Sequence, residues 1–240
     1  MTTLRAKDSF IRYASSAAFM LIIAAGLCVA QDSAAAPVPA SDSVPPGPSI
    51  RFTLKFPGSN PESYSIEVWA SGRAAYDSMA RLTDDMEAST AFHCDFQVAS
   101  PNRERIFDLA RRAKYFSGSL DSGRKIAFTG QKTLQYADQK VGSLNSYNYS
   151  ESKPIQELTS YFQSVSITME FISRLDYDLR FQKLALDAEL KSMEEQRSGH
   201  QLEELQAAAP VLQKIVADPA VIKVVRSRAQ RLLEQGQSAN

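Results

Sequence analysis

The sequence predicts an α+β fold. A mostly antiparallel sheet carries helices on one face, and a long helix then leads into a C-terminal helical hairpin or bundle. Three observations predict this. Runs of period-two hydrophobicity recur over residues 50–98 and again over 125–149, separated by turn residues. A single helical segment, opening at Ser100-Pro101, stands between the two sets. From Pro154 the apolar spacing becomes helical and stays so to the C-terminus. Strands joined by short turns pair antiparallel, because parallel pairs need long crossovers.

Residues 1–30 have the layout of a signal peptide. Arg5, Lys7 and Arg12 precede an uncharged apolar run from Ala14 to Ala30, and Cys28-Val29-Ala30 offers small residues for cleavage. Cleavage after Ala30 leaves Gln31 first; Ala34 to Ala36 is a second possible site. Leu27, in the place where lipidation of Cys28 would need a small residue, argues against a lipid anchor. The rival is an uncleaved anchor, and then the membrane is a partner only through that segment. The run is at the short end of what spans a bilayer. Residues 31–49, rich in Ala, Pro and Ser, read as a disordered tether. The expected location is periplasmic or secreted, in a bacterial envelope.

The 240 residues include 27 basic and 27 acidic side chains. Loss of residues 1–30 removes three basic and one acidic residue and leaves a net charge of −2. That balance gives no drive toward nucleic acid. It also removes Cys28, so Cys94 has no disulfide partner in the chain. The fold must then be held by packing.

Ile50, Phe52, Leu54 and Phe56 alternate with polar residues as a half-buried strand. Pro57 to Pro61 is a turn. Tyr64, Ile66, Val68 and Ala70 alternate next, with Ser65, Glu67 and Trp69 on the other face. Ser71-Gly72 is a hairpin turn before a strand at 74–79. Residues 81–91 read as a surface loop. Phe92, Cys94, Phe96 and Val98 form one face of a further strand, with His93 and Asp95 opposite. Ser100 is a candidate cap and Pro101 suits the first helical turn. Ile106, Leu109, Ala110, Ala113 and Phe116 follow at helical spacing, and Ser117-Gly118 ends the helix. Three shorter strands are expected at 125–129, 132–138 and 143–149.

From Ile155, alternating steps of three and four residues reach Leu158, Phe162, Val165, Met169, Ile172, Asp176, Leu179, Lys183, Leu186, Leu190 and Met193. Only Asp176 and Lys183 are not apolar. This predicts one helix over 154–196, about 60 Å long, covering the sheet with its first half and projecting with its second. Residues 50–172 are thus expected to be an α+β domain and 173–240 a helical extension. Ser198-Gly199 breaks the helix. Leu202 to Val216 makes amphipathic pieces interrupted at Pro210, and Asp218-Pro219 starts a last helix carrying Val221, Ile222, Val225, Ala229, Leu232 and Leu233. These pieces can fold back on residues 179–193 as an intrachain hairpin; a homodimer through the long helix is the rival.

Residues about 50–172 resemble an uncharacterised domain family of exported bacterial proteins. The likeness rests on the strand pair Tyr64-Ser-Ile66-Glu-Val68, Gly72 and Tyr76. It continues in Phe96-Gln-Val98-Ala-Ser100-Pro101, Leu109, Ala113 and Tyr115-Phe116, then in Leu134-Gln-Tyr136 and the helix from Pro154. The resemblance implies an exported α+β domain without an established activity. The family usually carries two cysteines in the turn before the second strand. Here Gly58 to Ser63 has none, which puts any role for them in doubt.

No residue type in the chain assembles into a catalytic, cofactor or metal signature. His93-Cys94-Asp95 offers the chemistry of a thiol base pair, but neighbours on a strand point to opposite faces. Cys94 therefore reads as core and His93 as surface. His200, the other histidine, falls in the helix break. Asp84, Asp85 and Glu87 lack the spacing of a calcium loop. There is no nucleophile elbow, phosphate loop or dinucleotide fingerprint. Arg103, Arg105, Arg111, Arg112 and Lys114 crowd one helix and Lys223, Arg226, Arg228 and Arg231 another. Each set reads as the wet face of an amphipathic helix, with a patch for anionic envelope polymers as the rival. Tyr147 and Tyr149 read as a cross-strand packing pair, and Asn148-Tyr-Ser150 as a chance glycosylation sequon. The expectation is a non-enzymatic exported binding or scaffold module of the cell envelope, with no cofactor and an unknown envelope protein or polymer as partner. The alternative is a hydrolase acting on envelope material through a site assembled only in the fold.

Overall fold

Alternating side chains put an apolar face on six consecutive strands, and those strands pair into one antiparallel sheet. The computed structural model describes residues 47–83, 88–140 and 142–237. The expected signal peptide, nearly all of the expected tether, and Asp84, Asp85 and Glu87 lie outside them. The strands are β1 (Ser49–Lys55), β2 (Ser63–Trp69), β3 (Arg73–Ala80), β4 (Thr90–Gln97), β5 (Gln131–Ala137) and β6 (Gly142–Tyr147). Their order is β4-β3-β2-β1-β5-β6. Each pair joins chain neighbours except β1–β5, because the chain crosses from edge strand β4 to β5 through α1 (Ser100–Arg112).

The helices are α1, α2 (Lys153–Phe181), α3 (Leu186–Ser198), α4 (Ala209–Ala217) and α5 (Lys223–Gln237). α2 covers the apolar face of the sheet: Phe162 stacks on Phe52 at 5.2 Å between ring centroids. Buried Glu170 accepts hydrogen bonds from Tyr76 Oη at 2.6 Å and Ser78 Oγ at 2.8 Å. That pairing satisfies a carboxylate that burial would otherwise penalise. One contiguous core runs from Ile50, Phe52 and Ile66 through Leu158 and Met169 to Leu190, Ile215 and Leu232. Burying each such side chain contributes about 1.5–3 kcal/mol. Among the described residues no helix covers the opposite face of the sheet.

The structure corrects the sequence reading at several places. Residues 125–129 form no strand. Their backbone is held by side chains instead: Thr129 N–H donates to Asn148 Oδ1 at 2.9 Å, and Asn148 Nδ2 donates to Ala127 O at 3.1 Å. The sequon asparagine is thus a structural clamp. Beside it the buried Lys132 ammonium donates to Thr129 O, Gly130 O and Asn148 O at 2.9–3.2 Å, and burial lowers its pKa. Ser100 does not cap α1; Ala99 is the cap residue and carries no capping side chain. Lys114, Tyr115 and Phe116, expected to continue that helix, adopt left-handed backbone with φ of 53°, 52° and 63°. Ser143 Oγ and Asn145 Nδ2 hold this turn by donating to Tyr115 O and Phe116 O.

The helix over 154–196 is two helices. The backbone leaves the helix at Gln182 (φ −140°, ψ 54°), where the apolar seam fails. Lys183 lies in the break, and its neighbour Leu184 is 95% exposed. α3 then turns back: Arg174 meets Glu189 at 2.5 Å, so the second half packs on the first instead of projecting. α5 begins at Lys223, not Pro219. Asp218 turns the chain instead, accepting from Ala220 N–H at 2.8 Å and pairing with Lys183 at 2.6 Å. Val221 is buried ahead of α5, while Ile222 is exposed. Tyr149 lies past the end of β6, and only Tyr147 is buried. Cys94, expected in the core, is half-buried because β4 is an edge strand.

The C-terminal helices return to the same chain. Arg228 bridges Asp187 and Glu194 of α3, and Arg231 meets Glu194 at 3.0 Å. Gly236 lets α5 pass close to the backbone of Gln206. Among the described residues no helix is long and apolar enough to cross a membrane.

Candidate functional site

The segment after α3 is fixed by one carboxylate. Glu204, 3% exposed, accepts from Ala99 N–H at 2.9 Å, Asn102 Nδ2 at 2.8 Å and Tyr161 Oη at 2.7 Å, and from Gln206 Nε2. It therefore supplies the cap that Ser100 does not, from the far end of the chain. Thr168 Oγ1 adds a bond to the carbonyl of Glu203 at 2.7 Å. Burial, then the Glu204 charge, pushes the Tyr161 hydroxyl far above its ordinary pKa, so it remains a donor. His200 and Glu204 both have φ of 56°. Left-handed backbone is unfavourable for such residues, and it persists where surrounding contacts impose it.

The segment so held meets α1 and α2 around a polar cavity of about 510 Å³. From α2 come Lys153, Glu157, Ser160 and Ser164, whose spacing of four, three and four residues puts them on one helical face. Arg105 of α1 contributes a guanidinium 3.7 Å from Glu157. His200 and Glu203 come from the fixed segment. A second cavity of about 380 Å³, lined by Asn102 and Arg197 among others, shares His200 and Glu203 with the first. Glu203 Oε2 accepts from Asn102 Nδ2 at 3.3 Å. Burial, then the charge of Glu204, raises the Glu203 carboxyl; Asn102 and Arg105 oppose this. Lys153, Ser160, Ser164 and His200 direct no side-chain hydrogen bond or ion pair to another described residue.

Cys94 is separated from His93 and Asp95 as strand geometry requires. His93 and Asp95 lie on the open face of the sheet. There, cross-strand register lines up His93, Asp77, Ser65, Thr53, Thr133 and Ser146. A shallow groove of about 410 Å³ runs over part of that row. His93 Nδ1 is 2.7 Å from Asp77 Oδ1, and its Nε2 is 3.5 Å from Asp95; the Asp77 hydrogen bond raises its pKa. Ser65 stands two strands away, about 10 Å, too far to be activated by that imidazole. Cys94 is turned from both carboxylates, and burial raises its thiol, which suppresses the reactive thiolate. The row is a hydrated polar sheet face, as antiparallel sheets commonly present.

The two basic sets are partly paired in place. Arg111 and Arg112 pair with Asp108, and Arg228 and Arg231 pair with Glu194. Among the described residues no three His, Cys, Asp or Glu side chains gather as metal ligands would. The sequence reading placed Arg105 on a wet face and His200 in a break, and missed Glu203, Glu204 and the α2 stripe. The one local signal was that stripe, polar residues at helical spacing beside an apolar seam. No family model matches this chain, and no curated protein does either.

Proposed function

We propose that this chain is a non-enzymatic exported binding module of the cell envelope, and that it holds its ligand in the cavity between α1, α2 and residues 199–204. One observation carries the reading. Buried Glu204 accepts four hydrogen bonds that hold its segment in place, while the side chains of Lys153, Ser160, Ser164 and His200 at the same cavity direct no hydrogen bond or ion pair to another described residue. Concave sites with a few convergent polar groups are where small ligands bind. Export is supported by the layout of residues 1–30 and by the resemblance over residues 50–172.

The test is a small-molecule screen by thermal shift and ligand-observed NMR, run on the wild type and on Ser160→Trp, which fills the cavity. Ligands are expected that stabilise the wild type and leave Ser160→Trp unmoved. Equal responses from both proteins would place binding elsewhere.

A second reading, hydrolysis of envelope material, is favoured by one feature. Glu157 and Glu203 line the same cavity, and burial raises the Glu203 carboxyl above its ordinary pKa, the direction that suits a general acid. Release of soluble products from cell-wall material by the wild type, abolished in Glu203→Gln, would replace the binding reading with this one.

A further inference from the structure

The charges around the cavity are not mixed at random. Lys153 stands at the first turn of α2. Tyr161, whose hydroxyl reaches the Glu204 carboxylate, lies eight residues further on, a rise of about 12 Å. The Glu203 carboxylate is tied to that second level by Asn102, whose Nδ2 donates to both Glu203 and Glu204. The cavity thus has an ammonium at one end and a carboxylate at the other. Glu203 has the charge of Glu204 immediately behind it, so that end carries more negative charge than Arg105 offsets. Between the ends, Ser160 and Ser164 offer hydroxyls and Glu157 an acceptor.

We infer that the cavity takes a short peptide with free ends, its ammonium on Glu203 and its carboxylate on Lys153. The inference rests on the binding reading above and names its ligand class. About 12 Å corresponds to three or four extended residues. Each peptide unit needs one donor and one acceptor partner, and a column of hydroxyl and carboxylate groups along one helix face supplies both. A purely anionic ligand would leave Glu203 and Glu157 facing like charge, and a purely cationic one would leave Lys153 and Arg105 doing so. A zwitterion of this length opposes both.

Isothermal titration of the full-length chain with tri-alanine is the test, beside its N-acetylated and its C-amidated forms. Tri-alanine is expected to bind, and each blocked form to bind at least tenfold more weakly. Acetylation should then cost nothing further in Glu203→Gln, and amidation nothing further in Lys153→Met, since each variant removes the partner of the blocked end. Both positions are at the surface of the cavity, and a thermal melt of each variant checks its fold. Blocked peptides binding as well as free ones, or tri-alanine failing to bind at millimolar concentration, overturns the assignment. Failure here, with other ligands still lost in Ser160→Trp, sinks the peptide class and leaves the site standing.

Discussion

Glu204 is the residue on which most of the site depends. Its two oxygens satisfy the first free N–H of α1, an amide on the same helix and a hydroxyl of α2. Removing one partner of such a network strands the others in a place water does not reach. Glu204→Ala is expected to cost about 3 kcal/mol, and Tyr161→Phe about 1 kcal/mol, by urea unfolding. Equal, small losses for both would mean that water replaces the carboxylate and that the segment is not fixed by it. Nothing local in the sequence announces this role. Two adjacent glutamates after a glycine break have the look of a solvated turn, and their partners on α1 and α2 lie 35 to 105 positions upstream. Asn148 and Lys132 escape sequence reading for the same reason: each replaces backbone pairing by side-chain bonds, and the pattern over 125–129 still looks like a strand. The open His93 face and the inward Cys94 face were legible, because alternation on a strand is a local rule.

At the scale of elements, the joint between α2 and α3 is set by where apolar contact runs out. The misfits Asp176 and Lys183 carried that information, and a seam with two polar failures seven residues apart is better read as two helices. Asp178 sits in the last turn of α2, buried beside α3. Burial, then the nearby Glu189 charge, pushes its carboxyl up to about 6, against the pull of Arg174. The folded chain therefore holds this proton more tightly than the unfolded chain, whose value is near 3.9. The protonated form carries no penalty below about pH 4; ionisation then erodes stability as pH rises to about 6, by up to about 3 kcal/mol. Asp178→Asn is expected to be more stable than the wild type at pH 8 and indistinguishable from it at pH 4, measured by chemical unfolding at each pH. A difference that does not change with pH would show that the side chain is hydrated and its ionisation unopposed.

At the scale of the whole molecule, strands, both covering helices and the C-terminal helices share one apolar interior. The fold class was legible in full, since it follows from short turns and from the change of hydrophobic period. The docking of Glu203 and Glu204 on α1 and α2 was not, since it depends on polar contacts between distant positions. A shared interior predicts one cooperative transition. Trp69, the single tryptophan, lies in β2 and reports the sheet, while far-ultraviolet circular dichroism reports mainly helix. Their urea midpoints are expected to coincide. A separation of more than roughly 0.5 M, about 1 kcal/mol at ordinary slopes, would mark the C-terminal helices as an independent folding unit.

The bond from Ala99 N–H to Glu204 spans 105 residues of chain, and this has a consequence in time. At ribosomal rates of about 5–20 residues per second, the start of α1 is made roughly 5 to 20 s before the residue that completes it. Throughout that interval the nascent sheet has its helical lid half-finished and its seam open. This joint therefore closes only after all six strands and α2 have been made.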